Sequence, residues 1–317
     1  MTASGKKPLG AAFWKELMGE TERPAISEEM RPLLACPDDD ASLEFREDEK
    51  HFRCPACQRV YTQEAAGALP LLPSDDPYKL TPAEVSALDG VAPSRNRFVD
   101  DPPTAFPAVW SELDRLVPDW SGKVAVDVCA GTGWLGLELA RRGATVALLD
   151  IVAGNGGLGT AAEKASAASL RVDLLQGDAC RLPLAAESMD VVTISAGIAW
   201  QRRPERLMKE IGRILKPDGL LLNIGEPVRA TAEGVPGDRV LSVADYRAIY
   251  GEGLLDMECI VPGGERTEGG GILSRLGSRW RENRASGDLL FVGRRRPDFD
   301  ISRVRLPWRS GGENDAQ

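Results

Sequence analysis

The sequence predicts an α/β fold, in which helices cover both faces of a parallel sheet and a small appendage precedes it. From Pro107 to Gly293, short apolar segments alternate with segments of helical periodicity. This alternation is typical of parallel strands that are connected by helices. The first apolar segment, Val124–Val128, runs into a Gly-X-Gly turn and then directly into a helical segment. Three of the six cysteines lie within the first sixty residues and mark the appendage.

The elements of the predicted sheet follow one another along the chain. An amphipathic helix comes first, because Val109, Trp110 and Leu113 recur at three- and four-residue spacing. The predicted strands are Val124–Val128, Thr145–Asp150, Arg171–Gln176, Met189–Ser195, Gly219–Gly225, Leu254–Val261 and Asp288–Gly293. The predicted helices between them are Trp134–Arg142, Thr160–Ala168, Glu205–Leu215 and Ser242–Tyr250. In the appendage, the runs Leu43–Phe45 and His51–Arg53 predict a small hairpin.

Changes in composition divide the chain into five parts. Residues 1–30 are an N-terminal extension, and residues 31–73 are the cysteine-containing segment. Residues 74–103 are rich in Pro, Asp and Ser, which predicts a linker with a short helix near its start. Residues 104–297 hold the alternating strands and helices, and residues 298–317 are a polar tail.

Composition and charge exclude several classes of protein. With 43% apolar and 27% charged residues, the 317-residue chain cannot be wholly disordered or fibrous. A net charge of -9 excludes a generally basic nucleic-acid binder. No apolar run approaches the roughly 20 residues that span a bilayer, and no apolar core follows the N-terminal lysines. A soluble, cytoplasmic protein is therefore expected.

The single histidine, His51, lies in the appendage. Because histidine is the usual general base and the commonest metal ligand, this excludes a histidine-rich metal centre. Any Ser-His-Asp or Cys-His mechanism would have to use the appendage. The cysteines are too sparse for the disulfide scaffold of a small secreted protein.

Three acidic residues lie at successive strand ends. Asp127 precedes Gly131 and Gly133, whose missing side chains let the backbone approach a ligand closely. Asp150 ends the second strand, where an acid can accept hydrogen bonds from the two hydroxyls of a ribose. Asp178 follows the third strand, where an acid can accept a hydrogen bond from an adenine amine. Three acids without the lysine of a phosphate loop favour a cationic nucleoside over a polyphosphate.

These motifs resemble those of class I S-adenosylmethionine-dependent methyltransferases, most closely of the small-molecule type. The resemblance covers residues 105–295 and implies a Rossmann-like sheet of seven strands whose last strand is antiparallel. It also rests on Leu182–Leu184 with Met189–Val192 and on Glu210–Gly219. The cofactor-binding residues that it implies are Asp127, Ala130, Gly131, Thr132, Gly133, Asp150, Ile151, Asp178, Ala179 and Ser195.

Matched position by position, the family places the two loop glycines beside the methionine portion of S-adenosylmethionine. It places Asp150 on the ribose, and Asp178 with Ala179 near the adenine. One position departs from the family pattern D-x-G-x-G-x-G, because Cys129 stands where the pattern has a glycine.

A second glycine motif competes with the first. Gly154, Gly156 and Gly159 fit G-x-G-x-x-G after a strand, which is formally a dinucleotide fingerprint. Asp150 ends the strand, and Ile151, Val152 and Ala153 separate it from the first glycine of this motif. An NAD-binding interpretation also leaves Asp127–Gly133 unexplained. A nicotinamide-dependent oxidoreductase is therefore the minority alternative, and the second motif is interpreted as a loop over the ribose.

The cysteine-containing segment resembles a small zinc-ribbon-like domain that precedes some methyltransferases and also occurs as a free-standing methyltransferase activator. The resemblance implies Cys36, Cys54 and Cys57 as zinc ligands. A structural zinc site needs four ligands, and the fourth cysteine is missing. Asp39 stands at the position of the missing cysteine, and His51 is the other candidate for the fourth ligand. The alternative is a ribbon that has lost its metal and is held by its apolar core.

The function expected from these motifs is transfer of a methyl group from S-adenosylmethionine to a small molecule. Two alternatives remain, an rRNA or tRNA methyltransferase and a non-catalytic adaptor that keeps the cofactor fold. The RNA alternative rests on Ser274–Arg309, which holds ten arginines and four acids, a charge of 10 − 4 = +6. A charge run of this kind is more often a solvated face, so nucleic acid is not the expected partner.

No catalytic residue is identified from the sequence, and the oligomeric state is left open. By position, Glu226 and either Tyr246 or Tyr250 are the candidates for a general base. Trp200 is a candidate for the wall of the acceptor pocket. The other expected walls are Glu226–Arg229 and the insertion Gly263–Gly287.

Overall fold

The computed structural model describes residues 26–63, 67–75, 80–87, 102–226, 228, 241–260 and 289–304. Most of the predicted N-terminal extension, part of the linker, the insertion Gly263–Gly287 and most of the arginine-rich stretch lie outside the described residues. Residues 82–87 are helical, which agrees with the short helix expected in the linker. Among the described helices, none combines the length and the apolarity that a bilayer span requires.

A mixed sheet of eight strands forms the centre of the molecule, in the order β10-β11-β9-β8-β5-β6-β7-β4. Neighbours from β4 to β9 are parallel, whereas β11 is antiparallel to both β9 and β10. The strands of this sheet are β4 (Leu69–Pro70), β5 (Val124–Val128), β6 (Thr145–Asp150), β7 (Asp173–Gln176), β8 (Met189–Ser195), β9 (Leu215–Ile224), β10 (Leu255–Ile260) and β11 (Leu290–Arg295). The predicted α/β fold with an antiparallel last strand is confirmed.

Helices cover both faces of the sheet. They are α1 (Pro102–Ala105), α2 (Pro107–Leu116), α3 (Trp134–Arg141), α4 (Leu158–Ala167), α5 (Pro204–Ile214) and α6 (Val243–Glu252). Neighbouring residues of one strand enter opposite cores: in β6, Leu148 packs with the side chains of α2 to α4, whereas Leu149 packs with those of α5 and α6. Both faces of the strands are therefore buried, as a parallel sheet requires.

The sheet has one strand more than the seven that the sequence predicts, because the appendage contributes β4. Leu69 and Pro70 pair in parallel with Leu175 and Gln176 of β7. The preceding strands of the appendage, β1 (Glu44–Arg46), β2 (His51–Arg53) and β3 (Val60–Thr62), form a separate antiparallel sheet. Their hairpin register pairs Phe45 with Phe52, close to the predicted runs.

The appendage shares one of the two apolar cores with the α5 and α6 face of the sheet. Leu34 is fully buried and pairs with Leu184 through an isolated β-bridge. Nearby, the Ser27 backbone N–H and hydroxyl donate to the buried carboxylate of Asp173, at 2.7 and 2.6 Å. The appendage is thus packed into the main fold through both apolar contacts and buried hydrogen bonds.

Candidate functional site

The candidate site lies where the loop after β5 meets the carboxyl ends of β6, β7 and β8. Cys129, Gly131 and Gly133 all have positive φ, at 58°, 52° and 77°. A Cβ at Gly133 would lie 2.9 Å from the Ala161 and Leu148 side chains. The chain can therefore turn from β5 into α3 only with glycine at this position. Cys129 occupies the same left-handed region at a strain that glycine would avoid.

Asp150 links this loop to the end of β6. One carboxylate oxygen accepts the Gly131 N–H at 2.7 Å, and the other accepts the Val152 N–H at 2.8 Å. Burial raises the pKa of Asp150, and the two N–H donors act in the opposite direction. The side chain is half-buried, so it can meet a ligand lying on the loop. Ile151, the next residue, is also half-buried, and its carbonyl accepts a hydrogen bond from Gln176.

Asp127 lies beneath the loop and is 1% exposed. Its carboxylate accepts the Thr193 hydroxyl at 2.8 Å and the Gly136 N–H at 3.0 Å, and so ties β5 to β8 and to α3. Burial, reinforced by the nearby Asp150, raises the pKa of Asp127 to about 7. The structure thus gives Asp127 a supporting position below the site surface.

Asp127→Asn is expected to change stability in a pH-dependent way. The raised pKa means that the protonated carboxyl stabilises the fold at low pH, and this contribution is lost as the pH rises through about 7. An asparagine can replace both hydrogen bonds without ionising. From pH 5 to pH 8, the wild type should therefore lose about 1–3 kcal/mol of unfolding free energy relative to the variant. Urea denaturation at several pH values measures this.

Asp218→Asn is the control, because Asp218 is exposed and lies in the first half of β9, away from the carboxyl ends of the parallel strands. Parallel stability curves for the wild type and Asp127→Asn across this pH range would show that Asp127 is ionised throughout.

The third strand end completes the edge. The Gly177 N–H donates to the Asp150 carbonyl at 3.1 Å, which places the turn after β7 beside the end of β6. The Asp178 carboxylate accepts the Cys180 N–H at 2.8 Å, and Ala179 is buried. Ser195 ends β8 and is half-buried. The structure therefore brings the sequence-predicted cofactor residues to one edge of the sheet.

The two remaining loop residues are also fixed. The Ala130 N–H donates to the Leu149 carbonyl at 3.0 Å, and Thr132 is 2% exposed. In the described part of the chain, neither Asp127 nor Asp150 forms a salt bridge with a lysine or an arginine. Of the two, Asp150 is the half-buried carboxylate at the surface of the edge, and an ionised carboxylate there without a cationic partner suits a cationic ligand.

Glu226, the positional candidate for a base, is 1% exposed and fully engaged. Its carboxylate accepts the N–H groups of Ile198 and Ala199, at 2.8 and 3.2 Å, and the Tyr246 hydroxyl at 3.2 Å. Tyr250 is equally buried, and its hydroxyl accepts a hydrogen bond from Asn223. Glu226 thus holds the 3-10 helix Ile198–Trp200 beside the site. Sequence position alone could not reveal this engagement.

The competing glycine motif forms a compact turn into α4. The Gly157 N–H donates to the Gly154 carbonyl and the Leu158 N–H to the Val152 carbonyl, both at 3.0 Å. A Cβ at Gly159, the third glycine of the motif, would lie 2.9 Å from the Gly154 carbonyl oxygen, and one at Gly157 would lie 2.1 Å from the Val152 carbonyl oxygen. Close backbone packing inside the turn therefore accounts for glycine at these two positions.

Comparison with known proteins identifies the part of the chain that carries this edge. Residues 126–223 match the family model of the methyltransferase domain. On this similarity, we call residues 126–223 the methyltransferase domain. The match agrees with the resemblance to class I methyltransferases, since it covers the loop after β5 and both following acidic strand ends.

Curated relatives of the methyltransferase domain include two whose names give a quinone as the substrate. The chain is 36% identical over 102 residues to demethylmenaquinone methyltransferase of Lactobacillus johnsonii, covering 31% of this chain and 42% of the relative. It is 29% identical over 149 residues to 2-phytyl-1,4-naphtoquinone methyltransferase of Thermosynechococcus vestitus, covering 45% and 65%. The chain thus spans less than two thirds of the length of these relatives.

Among solved structures, one chain of a complex containing the Haloferax volcanii Trm112 methyltransferase activator is similar, with a TM-score of 0.48 and 19% identity. The match covers 65% of this chain and 96% of that one.

Outside the methyltransferase domain, the appendage holds a cluster of four ligand-type side chains, Cys36, Asp39, Cys54 and Cys57. Their sulfur and oxygen atoms all lie within 4.8 Å of one another. The Cys36 and Cys57 sulfurs are 3.6 Å apart, and the Cys54 sulfur is 3.3 Å from an Asp39 oxygen. We call these four residues the knuckle cluster.

Two separations within the knuckle cluster, 3.6 and 3.3 Å, are near those between ligands of a tetrahedral zinc ion. Bonds of about 2.0–2.3 Å at tetrahedral angles put neighbouring ligand atoms about 3.5–3.8 Å apart. Asp39 occupies the place of the fourth ligand. His51, the substitute considered from the sequence, instead lies 3.2 Å from Glu49 and outside the cluster.

Proposed function

We propose that the chain binds S-adenosylmethionine at the carboxyl edge of the sheet and transfers its methyl group to a small-molecule acceptor. The observation that carries this proposal is the junction of Asp150 with the Gly131 N–H inside a methyltransferase domain. The half-buried carboxylate is positioned to accept hydrogen bonds from ribose hydroxyls, and the glycine loop leaves room for the methionine portion. The Asp150 carboxylate, which has no cationic partner among the described residues, favours a sulfonium cation.

The chain's task in such a reaction is alignment. The acceptor atom forms a bond to the methyl carbon while the carbon–sulfur bond breaks and its electrons remain on sulfur. The sulfonium supplies the activated carbon, so the protein mainly has to orient the two reactants and exclude water. The segment Ala196–Trp200, held by Glu226, is placed beside the loop to form part of the acceptor side.

A small metabolite is favoured over RNA as the acceptor by the pairing of described arginines in the basic stretch. Arg295 pairs with Glu187, and Arg296 and Arg303 both pair with Asp298. Two carboxylates thus offset part of the charge of three arginines, which reduces what these arginines contribute to phosphate binding. The quinone substrates in the names of the two curated relatives make a reduced 1,4-naphthoquinone the first acceptor to test.

Asp150→Ala is expected to weaken binding of S-adenosylmethionine and of its demethylated product by about 1.5–3 kcal/mol, or roughly 10- to 150-fold. This range is typical for the loss of hydrogen bonds to a charged group. Calorimetric titration of the purified protein measures the affinities, with Asp218→Asn as a control that should bind like the wild type.

Binding of NAD in place of S-adenosylmethionine would overturn the proposal. Methyl transfer is tested with labelled S-adenosylmethionine offered to the reduced naphthoquinone, to a metabolite extract and to total RNA in parallel. Label in RNA would replace the small-molecule acceptor by a nucleic acid, whereas cofactor binding with no label in any pool would favour the non-catalytic adaptor.

We also propose that the knuckle cluster takes a zinc ion, with Asp39 as its oxygen ligand. The separations of the four ligand atoms support this assignment. Bound zinc would join the loop before β1 to the turn after β2, two segments that sulfur contacts and the Arg59–Asp38 ion pair also connect.

A further inference from the structure

The loop of the knuckle cluster lies directly against the turn that carries Asp178. Arg181 joins the two, since its guanidinium donates to the Asp38 carbonyl at 3.2 Å and to the Asp75 carbonyl at 3.0 Å. Arg181 is 5% exposed, so water cannot easily replace these two acceptors. One buried side chain therefore joins the loop of the knuckle cluster to the segment around Asp75 that follows β4.

On its other side, Arg181 belongs to the cofactor edge. Its backbone N–H donates to the Asp178 carbonyl at 2.9 Å, and the Cys180 N–H donates to the Asp178 carboxylate at 2.8 Å. These bonds close a turn in which the Arg181 backbone is bonded to the Asp178 carbonyl and the Cys180 N–H orients the Asp178 carboxylate. A shift of Arg181 would reach that carboxylate through this turn.

The Asp38 carbonyl in turn depends on the knuckle cluster. Asp38 lies between the ligands Cys36 and Asp39, and its N–H donates to the Cys36 sulfur at 3.4 Å. A cation bound to both neighbours would fix the two ends of this short loop. Without a cation, the Asp38 carboxylate still pairs with Arg59 and accepts the Ser74 N–H. Cys36 and Asp39 are then joined to Cys57 and Cys54 by hydrogen bonds that involve sulfur, and these are weak.

We propose that a divalent cation in the knuckle cluster tightens binding of the cofactor, with Arg181 as the positioning residue that transmits the effect. This rests on the proposed binding of S-adenosylmethionine and adds a control of its affinity from the appendage. Because coupling between two binding sites is reciprocal, the cofactor must tighten cation binding by the same factor.

The test uses the full chain in zinc-loaded and chelator-treated forms, with metal content measured by elemental analysis. The ligand is the demethylated product, S-adenosylhomocysteine, and its dissociation constant is measured by calorimetry. Removing zinc should raise this constant about 5- to 20-fold, within the usual range of coupling between sites. Arg181→Met should bind weakly in both forms, with the metal dependence lost, and Arg181→Lys should behave likewise because it lacks the two-pronged guanidinium.

Arg295→Met is the matched control. The Arg295 side chain is also buried and donates to the backbone carbonyl of Gly212. Arg295 ends β11, which is antiparallel to β9, so it lies away from the carboxyl ends of the parallel strands. It should keep the full metal dependence.

Equal affinity of the two wild-type forms would overturn the inference while leaving the proposed function intact, as would full coupling in a folded Arg181→Lys protein. A protein that holds no zinc would overturn it as well. Failure of both wild-type forms to bind S-adenosylhomocysteine would instead overturn the proposed function itself.

Discussion

Replacing Arg213 by alanine is expected to lower the free energy of unfolding by about 3–5 kcal/mol, the usual cost of breaking a buried ion pair from one side. Arg213 pairs with Glu210, and these side chains are 4% and 0% exposed. Its guanidinium also donates to the carbonyls of Leu182 and Leu184, at 2.8 and 2.7 Å. The alanine variant leaves a buried carboxylate and two carbonyls without this partner. Equilibrium denaturation measures the loss.

Two further variants test the reason for this effect. Arg296→Ala removes a solvent-exposed pair with Asp298 and should cost much less, because exposed pairs contribute little. The double variant Glu210→Gln, Arg213→Met removes both charges together and should be milder than Arg213→Ala. A loss for Arg213→Ala no greater than that for Arg296→Ala would show that the buried network is unimportant for stability.

Gly212→Ala is expected to destabilise the protein by about 3 kcal/mol, the upper end of the usual cost of overpacking. A Cβ at Gly212 would lie 2.2 Å from the backbone oxygen of Gly253, so α5 would have to move away from the end of α6. Helix propensity alone predicts that the substitution stabilises the protein, because alanine is favoured over glycine by about 1 kcal/mol within a helix. Thermal or denaturant unfolding therefore separates packing from propensity.

Gly251→Ala is the matched control for this substitution. Gly251 lies in the last turn of α6, and a Cβ there meets no atom within 4 Å. This variant should be neutral or slightly stabilising. If the two alanine variants were equally stable, the close approach of the two helix ends would not limit stability.

The sequence predicted the central strands well because their physical signal is local. Thr145–Asp150 and Met189–Ser195 were predicted with their observed bounds, since strands buried on both faces are short apolar segments between turns. In contrast, β9 begins at Leu215, four residues before the prediction. Leu215 pairs with Met189 ahead of a register shift, and that pairing leaves no trace in the local hydrophobic pattern.

The cofactor edge could be predicted because its glycines and acids have a fixed spacing along the chain. The contacts of the appendage could not be predicted. A two-residue strand such as Leu69–Pro70 carries no periodicity, and single polar residues such as Arg181 and Asp173 do not indicate partners more than a hundred positions away. For the same reason, the engagement of Glu226 by two backbone N–H groups was invisible, although its strand-end position was identified.

The pairing of Ser27 with Asp173 has a consequence for the order of folding. The two residues are 146 positions apart, and β4 likewise needs β7 as its neighbour. Contacts between distant positions form late, because the entropy of closing the intervening chain must be paid first. During synthesis the appendage leaves the ribosome before β7, so its native partners do not yet exist. It can pack in its native position only after more than a hundred further residues have been made.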